Sequence, residues 1–346
     1  MKALAITGQE GKEKVQYMEV EPPKLGPREV LIETRATALN HLDLFVRNNL
    51  GSLKLAPPHI AGADGAGVVA EIGTEVRTVR VGDRALINPG LNCGVCEFCQ
   101  AGEQSLCVRF GIMGETCPGT FAEYFTVPQE NVHPVPEGFS WEEAAAFPLV
   151  FVTAWRMLIS KAQIKPGEDI LILGIGGGVS TAALQIAKAV GLRAFVTSSS
   201  DEKLQKAKNL GADVAINYKT QDFAGEVREI TKRRGVDVVV DSVGGDTYAK
   251  SLASLVKGGR LVTCGATAGS RPQTDLQRIF WNQLSVFGST MGNRREFAGM
   301  LNFVRQRRVK PVIDQVLPLS EGANAMARME EGQQFGKIVL KVGEKA

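Results

Sequence analysis

No stretch of this chain approaches the roughly 18 uninterrupted apolar residues that a membrane-spanning helix needs, so a membrane partner is not expected. There is also no block of like charges and no basic stripe interleaved with aromatics. The formal charge of +3 is spread along 346 residues, which argues against a nucleic-acid partner. The segment Met1 to Gly8 lacks the charged-then-apolar texture of a signal peptide and reads as a short strand, which leads to the expectation of a cytoplasmic protein. Internal repeats and low-complexity segments are absent too.

What is present is enough apolar sequence, 44% of the chain, for two cores. The first 130 or so residues alternate short apolar runs with turn signals: Val30-Leu31-Ile32, Gly67 to Ala70, Val81 to Ile87 and Phe121 to Val127. That spacing suggests a barrel-like β domain. From Trp141 to Lys161 the period becomes helical, opened by Ser140 as N-cap with Glu143 completing a capping box. After Pro166-Gly167 strands and helices alternate. Strands are expected at 169–173, 193–197, 214–218, 236–240, 260–264 and 285–288, and helices at 179–190, 201–210, 223–234 and 247–255. Such alternation predicts an α/β fold with a doubly wound parallel sheet. A helix over 294–308 leads to a last short strand, Lys337 to Lys341, which has no helix behind it and is expected to rejoin the first domain.

Four of the six cysteines, Cys93, Cys96, Cys99 and Cys107, crowd into fifteen residues, which favours a metal over disulfides in a reducing compartment. Four soft thiolates on one loop can close a tetrahedral Zn²⁺ shell with no open position, and a closed shell is structural. Gly94 and Gly102 let the backbone fold around the ion, and the loop has little apolar content to hold it otherwise. An iron–sulfur cluster and four metal-free thiols compete with this reading. The bacterial ferredoxin pattern, however, has a shorter gap before a final Cys-Pro, and here Cys117-Pro118 stands too far away. Cys117 and Cys264 read as ordinary small buried side chains.

The segment Leu171-Ile172-Leu173-Gly174-Ile175-Gly176-Gly177-Gly178-Val179-Ser180 runs from a buried strand through a glycine turn into a helix, the order a dinucleotide site requires. Its glycines let backbone N–H groups approach a pyrophosphate lying at the positive end of the helix. Ser180 stands where a third glycine would allow tight helix-to-strand packing. The second strand ends in Ser198-Ser199-Ser200, without the acidic residue that would accept hydrogen bonds from a ribose 2′-hydroxyl, and Lys203 follows on the next helix. Serines do not repel a 2′-phosphate and lysine neutralises one, so NADP(H) is favoured over NAD(H).

With these motifs in place the chain resembles the medium-chain dehydrogenase/reductase superfamily, the zinc alcohol dehydrogenases and quinone oxidoreductases. The resemblance implies a GroES-like catalytic domain over 1–150, completed by 293–346, and a Rossmann cofactor domain over 151–292. It also implies an active-site cleft at their junction, a small-molecule substrate and a homodimer or homotetramer. The zinc alcohol dehydrogenases carry a second, catalytic zinc, whose ligand positions hold other residues here. Asn40 stands where the family has cysteine, and Gly62-Ala63-Asp64 where it has Gly-His-Glu. The stretch Ala144 to Val150, near which a third ligand would fall, has neither Cys nor Asp. Asn40, Asp43 and Arg47, Gly62-Ala63-Asp64, Thr153-Ala154-Trp155 and Asn217-Tyr218-Lys219 are similar instead to the zinc-free quinone oxidoreductases, in which the tyrosine and the helix lysine touch the adenosine phosphate. That likeness implies cofactor roles for Tyr218 and Lys203.

The expectation is therefore one structural zinc on the four cysteines and a dinucleotide held by Thr153, Gly174, Gly176, Gly177, Gly178, Val179, Ser180, Ser198, Lys203 and Tyr218. Asn40, Asp43 and Asp64 are the candidate catalytic residues. Asp43 and Asp64 read equally as residues that fix loops and pair with Arg47, and a residual metal site from His41, His59, Asp43 and Asp64 is a lesser alternative. Without a Lewis acid, NADPH-dependent reduction of a quinone, enone or related carbonyl is the expected reaction, because the negative charge delocalises onto an oxygen that hydrogen-bond donors can stabilise. A zinc-dependent alcohol dehydrogenase and a redox-silent NADPH-binding sensor are the alternatives.

Overall fold

The strand Lys337–Lys341 forms as expected and pairs antiparallel with the end of the long strand Glu29–Ala38, Val339 lying opposite Ala38. This pairing returns the C-terminal segment to the N-terminal one. In the computed structural model, which describes residues 1–8, 14–49 and 55–343, the chain divides into two units, Met1–Leu149 with Asn293–Ala346, and Val150–Gly292.

In the first unit Glu29–Ala38 is the central strand. It pairs with Asp64–Ile72, with Tyr124–Pro128 and with Lys337–Lys341, within a seven-stranded sheet that also holds Arg84–Ile87, Val132–Pro134 and Ile313–Pro318. Its alternating burial follows from the period of two in Val30, Ile32 and Thr34. Val30 and Ile32 pack with Val69, Ile87, Phe125 and Val127, all 2% exposed or less, each contributing roughly 1.5–3 kcal/mol. A second cluster joins Leu4, Ile6, Phe121, Met326, Ile338 and Leu340. Two of its elements, the strand Ile313–Pro318 and the helix Gly322–Glu330, carry no strong sequence signal and were not expected.

The second unit is built on a six-stranded parallel sheet. Its order is Val214–Asn217, Arg193–Ser198, Asp169–Ile172, Val236–Asp241, Leu255–Thr263 and Ser285–Gly288, which is 3-2-1-4-5-6 in chain order. This is the doubly wound arrangement read from the sequence, and Leu171, Phe195, Val239 and Leu261 are fully buried in it. Helix Gly178–Val190 ends at Gly191, whose φ of +99° lets its N–H bond back to the Ala187 carbonyl.

The helical stretch from Trp141 is not continuous. Ser140 and Glu143 form the capping box, but the first helix stops at Ala146 and a second starts at Pro148, since proline has no N–H to offer a preceding turn. Residues Arg156–Lys161 then wind as a wider π-turn. The expected helix over 223–234 ends at Ile230, because Lys232 and Arg233 adopt positive φ. The helix expected to reach Leu255 stops at Ala253, and Leu255 instead opens the strand that pairs with Val236.

Candidate functional sites

The cysteine loop folds around its own sulfurs. The four Sγ atoms lie within 4.8 Å of one another, with Cys93 to Cys107 at 3.5 Å and Cys93 to Cys99 at 3.9 Å. Gly94 and Gly102 take the positive φ values of +73° and +82° that the tight fold demands. Backbone N–H groups of Cys93 and Arg109 each point at Cys107 Sγ (3.3 Å), and the Cys96 N–H points at Cys93 Sγ (3.4 Å). The N–H groups of Val95 and Cys96 draw the Cys93 thiol down to about 6, whereas burial pushes Cys99 up to about 12. Packing does little for this loop, since Val95, Leu106 and Val108 are all more than half exposed. Four soft donors at this spacing fit Zn²⁺, whose charge would let all four thiols ionise together.

In the second unit the glycine turn is pinned to the neighbouring strand, with Ile175 N–H bonding the Thr197 carbonyl at 2.8 Å and Gly174 N–H bonding Thr197 Oγ1 at 3.3 Å. Gly174 (φ +62°) and Gly176 (φ +125°) hold conformations that side chains resist, and a Cβ on Gly174 would meet Val243 at 3.2 Å. Gly177 is the N-cap of the helix that starts at Gly178 and makes no side-chain cap bond. Val179 N–H and its neighbours therefore stand at a helix start suited to a phosphate. Ser180 has a reason to replace glycine: it is buried, and its hydroxyl donates to the carbonyls of Gly174 (3.0 Å) and Gly177 (2.9 Å).

At the end of the second strand Ser198 Oγ accepts from Ser200 N–H (3.2 Å). Ser200 caps the next helix through Lys203 N–H (3.3 Å). Asn217 Nδ2 holds Asp201 at 2.8 Å, and Tyr218 is 45% exposed beside it in sequence. Thr153 is buried with its hydroxyl 3.7 Å from Met291 Sδ. The turn from Gly174 to Ser180 and these residues fit a dinucleotide.

The third constellation lies in the first unit, where three strands meet. Register sets Ala38 opposite both Asp64 and Val339, so Asn40, Asp64 and Lys337 converge from three distant segments. Lys337 Nζ donates to Asn40 Oδ1 (2.6 Å) and to Asp64 Oδ2 (3.0 Å), and Asn40 Nδ2 donates to Asp64 Oδ2 at 2.9 Å. Asp64 Oδ1 accepts from Leu149 N–H at 2.9 Å. Asp43 accepts from Asn40 N–H (2.7 Å) through one oxygen and from Gly62 N–H (3.1 Å) through the other. Burial pushes the Asp43 carboxyl up to about 7 against the pull of those N–H groups and of the Lys337 charge.

Asp43 and Asp64 thus fix loops, but neither pairs with Arg47. That guanidinium reaches Asn48 Oδ1 (2.9 Å) and Glu330 (2.5 Å). His59 is held by the Gly114 carbonyl at 2.8 Å, and His41 lies near enough for burial and the Lys337 charge to lower its imidazole pKa, yet among the described residues neither histidine forms with the aspartates a group spaced for a metal. Among the described residues the four cysteines are the only group spaced to hold a metal. A second zinc does not fit the Asn40 cluster: Ala63 offers no ligand atom, and the oxygens of Asn40 and Asp64 already face donors. Lys337 is the residue that sequence reading missed. It stands at the start of an apolar strand, where a lysine reads as solvated, yet its side chain is 4% exposed.

Residues 26–137 match the alcohol dehydrogenase GroES-like domain, and residues 178–306 match the zinc-binding dehydrogenase family. An alcohol dehydrogenase of Geobacillus stearothermophilus is 35% identical over 99% of this chain and all of its own length. Among solved structures, an NAD-dependent alcohol dehydrogenase superposes with a TM-score of 0.95 at 44% identity, covering 99% of this chain and 100% of that one. A crotonyl-CoA carboxylase/reductase superposes with a TM-score of 0.91 at 26% identity, over 99% of this chain and 88% of its own.

Proposed function

The chain belongs to the medium-chain dehydrogenase/reductase superfamily, and from that premise we propose that it is a nicotinamide-dependent oxidoreductase interconverting an alcohol and its carbonyl compound, with one structural zinc and no second one. The observation that carries the activity is the likeness to alcohol dehydrogenases along the whole chain, which favours an alcohol–carbonyl couple over the quinone or enone expected from the motifs. Cys93, Cys96, Cys99 and Cys107 would hold the zinc, and Gly174, Gly176, Gly177, Gly178, Val179 and Ser180 the pyrophosphate. The dinucleotide, when bound, supplies or accepts a hydride. In the reductive direction the C=O electron pair would move to oxygen as the carbon is reduced, and a proton taken from solvent would complete the alcohol.

The protein's contribution is to stabilise the oxygen as its charge grows. Asn40 is the donor we assign to that oxygen. Asp43 and Asp64 act on the reaction by holding Asn40. Thr153 is assigned to the carboxamide of the nicotinamide. Ser198, Lys203 and Tyr218 support a preference for NADP(H), although the structure sharing 44% identity is named NAD-dependent. A homodimer or homotetramer is supported by the free outer edge of the strand Ser285–Gly288 and by the exposed Leu276, Phe280 and Trp281 on the helix before it. Four cysteines clustered as for a metal rather than for disulfides support a cytosolic location.

A second reading, reduction of a conjugated carbonyl or quinone, is favoured by the missing ligands at Asn40 and Ala63, since such acceptors need no Lewis acid. The test is elemental zinc analysis with a panel of alcohols, aldehydes, enones and quinones assayed with both dinucleotides. One zinc per chain and alcohol–aldehyde turnover are expected. Two zincs, with turnover lost on chelation while the fold persists, would overturn the zinc-free site. Turnover confined to enones or quinones selects the second reading, and dinucleotide binding without any turnover selects a sensor.

A further inference from the structure

Two charged side chains converge on the neutral side-chain amide of Asn40, and a further carboxyl holds its backbone. Asp43 fixes the backbone N–H of Asn40, Asp64 takes a hydrogen from its side-chain nitrogen, and Lys337 donates to its side-chain oxygen, all with side chains or residues almost wholly buried. The assignment of amide oxygen and nitrogen follows from chemistry. An ammonium only donates, so the atom 2.6 Å from Lys337 is the oxygen; a carboxylate only accepts, so the atom 2.9 Å from Asp64 is the nitrogen. Asn40 therefore cannot flip without setting donor against donor and acceptor against acceptor at once.

Of its two amide hydrogens one is committed to Asp64. The other has only the Ala38 carbonyl at 3.4 Å, a long contact that leaves it available. The Lys337 ammonium bonded to the carbonyl oxygen polarises the amide and strengthens that remaining N–H as a donor. A neutral donor in place of Lys337 would hold the amide less firmly, because charge-assisted bonds are about twice as strong as neutral ones.

We propose that Lys337 is the positioning residue of the site, locking the Asn40 amide so that its second N–H is presented to the substrate oxygen. This rests on the reading of Asn40 as the donor to that oxygen, and it does not require Lys337 to touch substrate.

The test compares Lys337→Met, Lys337→Arg, Asp64→Asn and the double variant Lys337→Met with Asp64→Asn. The double variant removes the Lys337–Asp64 charge pair so that a folding defect of the first cannot hide the outcome, and Asp64→Asn alone is its reference because Asp64 also holds the amide. In protein labelled with ¹⁵N-asparagine, hydrogen exchange of the Asn40 side-chain amide is expected to be slow in the parent and in Lys337→Arg. It should accelerate by at least about tenfold in the double variant relative to Asp64→Asn alone, as the loss of the one charge-assisted bond from Lys337 requires. Unchanged exchange would overturn the proposal.

In turnover assays the double variant is expected to lose kcat relative to Asp64→Asn alone, with little change in the KM for dinucleotide, and that difference should vanish in an Asn40→Ala background. Equal losses in both backgrounds would mean that Lys337 does not act through Asn40, and would also overturn it. If the parent turns over nothing while the amide still loosens in the variant, the proposed reaction fails and the positioning role stands.

Discussion

The cysteine lobe and the Asn40 cluster are the two polar centres of the first unit, and they are assembled on opposite plans. The lobe draws all its ligands from fifteen consecutive residues, leaves Val95 and Val108 two-thirds exposed, and relies on backbone N–H groups and an ion for its cohesion. The cluster takes Asn40, Asp64 and Lys337 from segments nearly 300 residues apart in sequence, buries all three, and pairs its Asp64 carboxylate with an internal ammonium. A local centre can be read from spacing and is expected to unfold when its ion is removed. A non-local one is visible only after the sheet has formed, and it depends on the pairing of buried charges.

The sharpest break of this comparison is Cys96→Ser. Structural zinc contributes roughly 10–16 kcal/mol of apparent binding free energy to small zinc domains, so this variant should release its zinc and unfold the lobe well below the temperature of the remainder. Elemental analysis and calorimetry measure both effects. Dinucleotide affinity should hardly change, and a large loss of binding in a still-folded variant would show that the lobe is not a self-contained centre.

Next in size is Gly176→Val. A β-branched residue forced to a φ of +125° costs on the order of 1–3 kcal/mol or more, so titration should show dinucleotide binding weakened by about tenfold or more. Zinc content should stay at one per chain. A variant that binds dinucleotide normally would remove the glycine turn from the class of locally legible sites.

The buried cluster has a pH signature of its own. Because the Asp43 carboxyl is pushed up to about 7 from its ordinary value of 3.8, the folded protein holds a proton that the unfolded chain releases between these limits. Asp43 therefore contributes its full stability below the unfolded value and loses it as pH rises through about 7. Asp43→Asn should be less stable at low pH, since an amide cannot accept from both Asn40 and Gly62, and should lose this part of the pH dependence. Urea midpoints from pH 4 to 8 measure the difference, and parallel curves for the two proteins would reject it.

The smallest effect is expected at Lys203→Ala. The KM for NADPH should rise by several-fold with that for NADH unchanged, as the removal of one surface cation near a 2′-phosphate implies. An equal rise for both dinucleotides would assign Lys203 to helix stability.

Some of this was legible before any coordinates. The parallel sheet follows from alternating apolar runs, the capping box at Ser140 from two residues three apart, and the glycine turn from strand, glycines and helix in sequence. Where local reading failed, a tertiary constraint intervened. Pro148 split a helix that the period alone continues, and pairing with Val236 drew Leu255 out of a helix into a strand. Serine in place of a third glycine became intelligible only once its hydroxyl was seen to bond back to the turn.

By itself the sequence determined the parallel-sheet strands and the two motifs whose parts are adjacent in the chain, because metal ligation and turn conformation depend on spacing over a few residues. Only the tertiary structure decided the state of Asn40. That depends on which lysine, out of many, is buried against it, and the burial of Lys337 is a consequence of strand register between the two ends of the chain.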